Sequence, residues 1–111
     1  MKQTEIQSKN LVIHVYMCDT EEAQKDLQHC LKHHEGFLDT LHYHDDPMWL
    51  YPVVYRILTD ENVTLSMNRN GAMFKEFGGT YPSAHMSGGS IMGNLFNAVH
   101  EMITIINNGK T

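Results

Sequence analysis

Ile91, Met92, Leu95, Phe96, Val99, Met102, Ile103 and Ile106 recur three and four residues apart, and no other pattern in the chain constrains its folding as strongly. Apolar residues at that period line one face of an α-helix, and Asn107-Asn108-Gly109 supplies its stop. So wide an apolar stripe has to be covered, which obliges the chain to fold around it. The same stretch carries Asn94, Asn97, His100 and Glu101, which excludes an ordinary membrane span.

With 111 residues there is room for one domain and one modest core. We place a polar tail at residues 1–10 and a single domain at residues 11–109. A hydrophobic content of 41% with 19% charged residues is that of a folded chain. The formal charge of −5 and only eight Lys and Arg argue against a protein that tracks a nucleic-acid backbone. An acidic surface suits a partner with a basic face. The opening residues are polar and the apolar run at 11–17 is broken by His14, so no secretory leader is read, and Cys18 and Cys30 are expected to be reduced in a cytoplasmic protein.

Along the chain, residues 11–18 (Leu-Val-Ile-His-Val-Tyr-Met-Cys) are β-branched and apolar and read as a buried strand. Asp19-Thr20 is an N-cap signal and Gly36 a left-handed stop, which predicts a helix over 20–35. Residues 37–44 alternate with period two and predict a second strand, ended by Asp45-Asp46-Pro47. Residues 50–58 and 63–68 read as two further strands joined by a turn at 59–62, and Asn70-Gly71 turns the chain again. Residues 78–90, with four Gly, one Pro and three Ser, lack periodicity and read as a loop. The order β-α-β-β-β-α implies an α+β two-layer sandwich: a four-stranded mixed sheet with both helices on one face.

Eight histidines concentrate the candidate chemistry. On adjacent strands His14, His42 and His44 would project from one face, with His42 and His44 about 7 Å apart, a spacing that suits a divalent metal with Asp45 or Asp46 as a further ligand. On the predicted helix His29 and His33 have the i,i+4 spacing of helical metal sites, beside Asp26, but no Glu follows His29 as in an HExxH site, and they read as a solvated face. Cys30 and His34 fall on the apolar stripe and read as core. Tyr81, His85, Ser87, Gly88, Gly89 and Ser90 precede the last helix and form a candidate anion cup, with backbone N–H groups on a phosphate or carboxylate and Tyr81 stacked on a base. Met48, Trp49, Tyr51 and Tyr55 form a candidate aromatic anchor.

No nucleotide-hydrolysis, dinucleotide-binding or hydrolase-elbow motif is present, which inclines the reading away from an enzyme. The first expectation is a non-enzymatic, oligomeric binding module for an anionic small molecule, nucleotides included. The second is an acidic interaction factor, of inhibitor or immunity type, that binds a basic protein surface through the Trp49 region. The third is a metal-dependent enzyme at His14, His42 and His44.

Overall fold

The computed structural model describes residues 3–61, 63–76, 84–87 and 89–109. The chain forms helices α1 (Gln3–Met17) and α2 (Glu21–His33), a 3-10 turn at Phe37–Thr40, and helix α3 (Pro47–Asp60). Strands β1 (Val63–Asn68), β2 (Gly71–Glu76) and β3 (Ala84–Ser87) follow, and then helix α4 (Ile91–Gly109). The class is α+β, but the expected four-stranded mixed sheet under two helices is overturned. In its place stand, among the described residues, four α-helices and an antiparallel sheet of three strands in the order β1-β2-β3.

The helix anticipated from its spacing is the centre of the fold. Leu95, Phe96, Val99, Met102, Ile103 and Ile106 of α4 are buried, joined by Asn94 and Ala98. Strands β2 and β3 lie against this helix, and α1 and α3 rest on it as well. The core it shares includes Ile13 of α1, Leu50, Val53, Val54 and Ile57 of α3, and Val63, Ala72 and Phe74 of the sheet. Each such aliphatic or aromatic side chain contributes about 1.5–3 kcal/mol through lost water contact.

The strand expected over residues 11–18 is instead the second half of α1, and Gln3–Asn10, set apart as tail, are its first turns. Its inward stripe runs through Asn10, Ile13 and Met17, so a buried amide sits where an apolar residue would have announced the helical period. The strand expected over 50–58 is α3, and the Asp-Pro signal read as a stop is its start. Asp46 caps the helix, its Oδ1 accepting from the Met48 N–H at 2.9 Å, and Pro47 occupies the first turn, where its missing N–H costs nothing. Leu50, Val53, Val54 and Ile57 then follow the i, i+3, i+4, i+7 rule on its buried face.

Residues 37–44 make no ladder. The alternation survives only as Leu41 and Tyr43 buried on either side of an exposed His42, in a segment that leaves the 3-10 turn and closes on itself where Asp45 and Asp46 donate to the His42 carbonyl. The helix expected over 20–35 is present as α2, with Thr20 Oγ1 accepting from the Ala23 N–H and Gly36 left-handed at φ 78°. Strand β1 stands where expected, with Thr64, Ser66 and Asn68 exposed; Val63 is buried, Leu65 half-buried, and Met67 exposed rather than in the core. The Asn70-Gly71 turn leads into β2, with Asn68 Oδ1 accepting from both N–H groups, and the register pairs Val63 with Glu76 through Asn68 with Gly71.

Candidate functional site

Helix α3 has two faces of different chemistry. Its inner face belongs to the core, whereas Met48, Tyr51 and Tyr55 on the other side are 80%, 56% and 71% exposed. Positions 48, 51, 52 and 55 share one side of a helix, so these residues and exposed Pro52 make a continuous apolar and aromatic strip. Pro52 has no N–H to give to the Met48 carbonyl, which leaves an acceptor free of its intrahelical donor in the same strip. Trp49 does not belong to it. Its indole is half-buried against the core, and it meets the Tyr43 ring edge-on at 5.2 Å and the His42 ring at 5.7 Å.

Acidic groups stand at both ends of the strip, Asp45 before the first turn and Asp60 in the last. Arg56 is the helix's one cation, and it is already engaged: Nη2 lies 3.1 Å from Asp19, Nε 3.3 Å from Asp60, and the guanidinium sits 5.0 Å from the Tyr16 ring centre. Burial, reinforced by Glu61 and opposed by Arg56, pushes the Tyr16 hydroxyl up to about 12. Arg56 therefore ties α3 to the end of α1 and, shared between Asp19 and Asp60, brings no uncompensated positive charge to the strip.

The turn before α3 gathers two of the three anticipated histidines on Asp45. His42 Nδ1 lies 3.2 Å from Asp45 Oδ1 and His44 Nε2 lies 3.4 Å from Asp45 Oδ2, with the two rings stacked at 6.3 Å. Behind them Asn10, 1% exposed on α1, donates from Nδ2 to the Leu41 carbonyl at 3.2 Å and to His44 Nδ1 at 2.9 Å. An amide nitrogen only donates, so His44 Nδ1 must accept and its proton stays on Nε2, facing Asp45. Asn10 thus fixes both the turn and the tautomer. Nothing in the residue pattern announces this role, because a lone Asn at the end of a polar stretch carries no motif.

His14 does not join that pair. The adjacent strands that would have aligned it with His42 and His44 do not exist, and its Nδ1 meets the Tyr43 hydroxyl at 2.9 Å instead. Burial pushes Tyr43 up to about 12 and pulls His14 below its ordinary value, so the pair is a neutral hydrogen bond inside the fold. Among the described residues no three His, Cys, Asp or Glu side chains are placed to hold a metal ion. Cys18 and Cys30 are free and half-buried.

Of the anticipated anion cup, Tyr81 and Gly88 lie outside the described residues. His85 and Ser87 sit on β3, in register with Met73 and Gly71, so part of the expected loop is strand. Gly89 and Ser90 are turned toward the protein itself. Gly89 N–H donates to Asn94 Oδ1 at 3.1 Å while Asn94 Nδ2 donates back to the Gly89 carbonyl, and Ser90 Oγ accepts from the Gly93 N–H at 2.9 Å. Ser90 is therefore the N-cap of α4, and two of the donors an anion would use are occupied. Among the described residues no helix is long and apolar enough to cross a membrane. No protein-family model, curated protein or solved structure matches the chain.

Proposed function

We propose that the chain is a small non-enzymatic interaction module that docks a partner protein with a basic rim onto the outward face of α3. The exposure of Met48, Tyr51 and Tyr55 side by side on a helix whose other face is core carries this reading. Aromatic residues and Met are the types that dominate the centre of protein interfaces, and an isolated exposed residue would need no explanation where a strip does. Exposed Asp45 stands at the start of the strip and the whole chain carries a charge of −5, which complements Lys and Arg around an apolar spot. Two copies of the strip face to face would set like charges against each other, so a different, basic protein is favoured over self-pairing. The anionic-ligand reading draws less support, because Asn94 Oδ1 and Ser90 Oγ already accept from the Gly89 and Gly93 N–H groups.

A photo-reactive phenylalanine analogue at position 55, compared with one at Lys25 on α2, tests the proposal in cells that express the chain. The expected result is one basic protein crosslinked from position 55 only, lost on Tyr51→Ser with Met48→Ser and weakened by salt. With that protein in hand, Tyr55→Ala should cost at least about 2 kcal/mol of binding. Adducts formed equally from position 25, or only with the chain itself, overturn the reading.

A further inference from the structure

The C-terminal half of α2 presents two imidazoles that no other described residue engages. His29 and His33 are exposed, and their ring centres are 4.8 Å apart. Among the described residues their contact is with each other: neither ring accepts or donates a hydrogen bond nor faces a carboxylate within ion-pair distance there, in contrast to His14, His42, His44 and His34. They border a groove of about 460 Å³ whose other walls are Cys30, His34 and Glu35. The groove opens at the C-terminal end of the helix, where the unpaired carbonyls of the last turn favour positive charge.

From this geometry we infer that His29 and His33 chelate one divalent transition-metal ion of the imidazole-preferring class, Cu²⁺, Ni²⁺ or Zn²⁺. Residues four apart on a helix stand one above the other, so both rings reach a common ion without any change in backbone. Imidazole nitrogen suits these ions and not Mg²⁺ or Ca²⁺, which require oxygen ligands. No third His, Cys, Asp or Glu is in place among the described residues, so water completes the coordination and the ion exchanges with solvent. This differs from the anticipated site at His14, His42 and His44, whose rings are committed elsewhere.

The ion has a structural consequence. Leu27 is the single buried residue of α2, and a helix of 13 residues is marginal without tertiary support. Bridging positions 29 and 33 braces the last turn of this lightly held helix.

Metal-free protein is titrated with Zn²⁺ and, separately, with Ni²⁺ against a competing chromophoric chelator, while amide exchange is followed in α2. One equivalent should bind, and the amides of residues 29–33 should become slower to exchange. His29→Gln and His33→Gln should each weaken binding on the order of a hundredfold, because a single prong loses the effective concentration of the second. His42→Gln should leave it unchanged. The double variant His33→Gln with Leu31→His keeps the number of histidines but turns the second ring across the helix, and it should bind as poorly as His33→Gln. Cys30→Ser reports on the thiol, which a two-imidazole site does not need. Wild-type protein that takes up no ion at one equivalent overturns the inference, as does uptake that survives His29→Gln and His33→Gln or is lost with Cys30→Ser.

Discussion

Helices α4 and α2 were both legible in the sequence, yet they hold the molecule together to very different degrees. α4 buries eight residues, and six of them stand on the stripe that announced it. α2 buries Leu27 alone, and Leu27 is not part of the main core cluster. Ala23 and Cys30 are half-buried, and Leu31, His33 and His34 are exposed. α4 is defined by what it buries, α2 by its caps and its charges: Thr20 at the start, Glu21 and Glu22 in the first turn, Lys32 and His33 in the last. The difference teaches that a sequence can specify a helix by its ends without committing that helix to the core.

Core truncation should expose this contrast most strongly. Phe96 is 1% exposed and lies against the His44 ring at 6.1 Å, so Phe96→Ala removes a large side chain from the centre of the fold. The expected loss is about 3–5 kcal/mol, a large share of the stability of a small domain. Leu27→Ala should cost about 2 kcal/mol or less, since its site borders a surface groove shared with Val15 and Gln24 and can relax. Urea unfolding followed by circular dichroism measures both. Equal losses would make α2 as much a part of the core as α4.

The same contrast explains what the sequence showed and what it hid. Periodicity revealed α4, capping revealed α2, and alternation with exposed Thr64 and Ser66 revealed β1. In α1 local preference was outvoted by burial partners that are remote in sequence. Residues 11–17 are β-branched and apolar, but α4 and the segment at 41–44 provide a surface for a helix, and Asn10 supplies the hydrogen bonds that join them. In α3, Tyr51-Pro52-Val53-Val54 has strand-like composition, while the capping Asp46 and Pro47 and the i, i+3, i+4, i+7 set at Leu50 define the helix; the capping signal was present but read as a stop. Strand β2 was missed because Gly71-Ala72-Met73 is weak in strand formers, and it is held through its register with β1. Of the candidate sites, the Met48, Tyr51 and Tyr55 strip was visible as composition, but its separation from Trp49 depends on helical phase. The assembly of His42, His44 and Asp45 was visible as spacing, whereas its anchoring by Asn10 was not.

Acid should act on the layer where α1 packs on α4. His14 on α1 and His100 on α4 both lie below the ordinary histidine value near 6.5, His14 through burial and His100 through burial with the Lys9 charge adding to it and Glu101 opposing. The unfolded chain therefore binds more protons than the folded one as pH falls through about 6.5, and stability declines with it. The urea midpoint should be highest near about pH 7.5 and fall steadily toward about pH 5. His100→Gln should flatten that slope while leaving the midpoint at the higher pH little changed. A slope unaffected by His100→Gln and by His14→Gln would move the acid sensitivity out of the α1 and α4 layer.

The smallest expected effect separates the two helices most directly. Thr20 Oγ1 accepts from the Ala23 N–H at 3.1 Å, and Thr20→Ala removes that cap without touching the core. Such a change costs the helix about 1 kcal/mol. Because α2 makes so little contact with the buried layer, that loss should appear as local opening. Amides in α2 should exchange roughly fivefold faster, while those in α4 and the urea midpoint of the whole chain stay nearly where they were. A midpoint that falls by the full cost of the cap would mean that α2 unfolds only when α4 does, and that its few contacts couple it to the core after all.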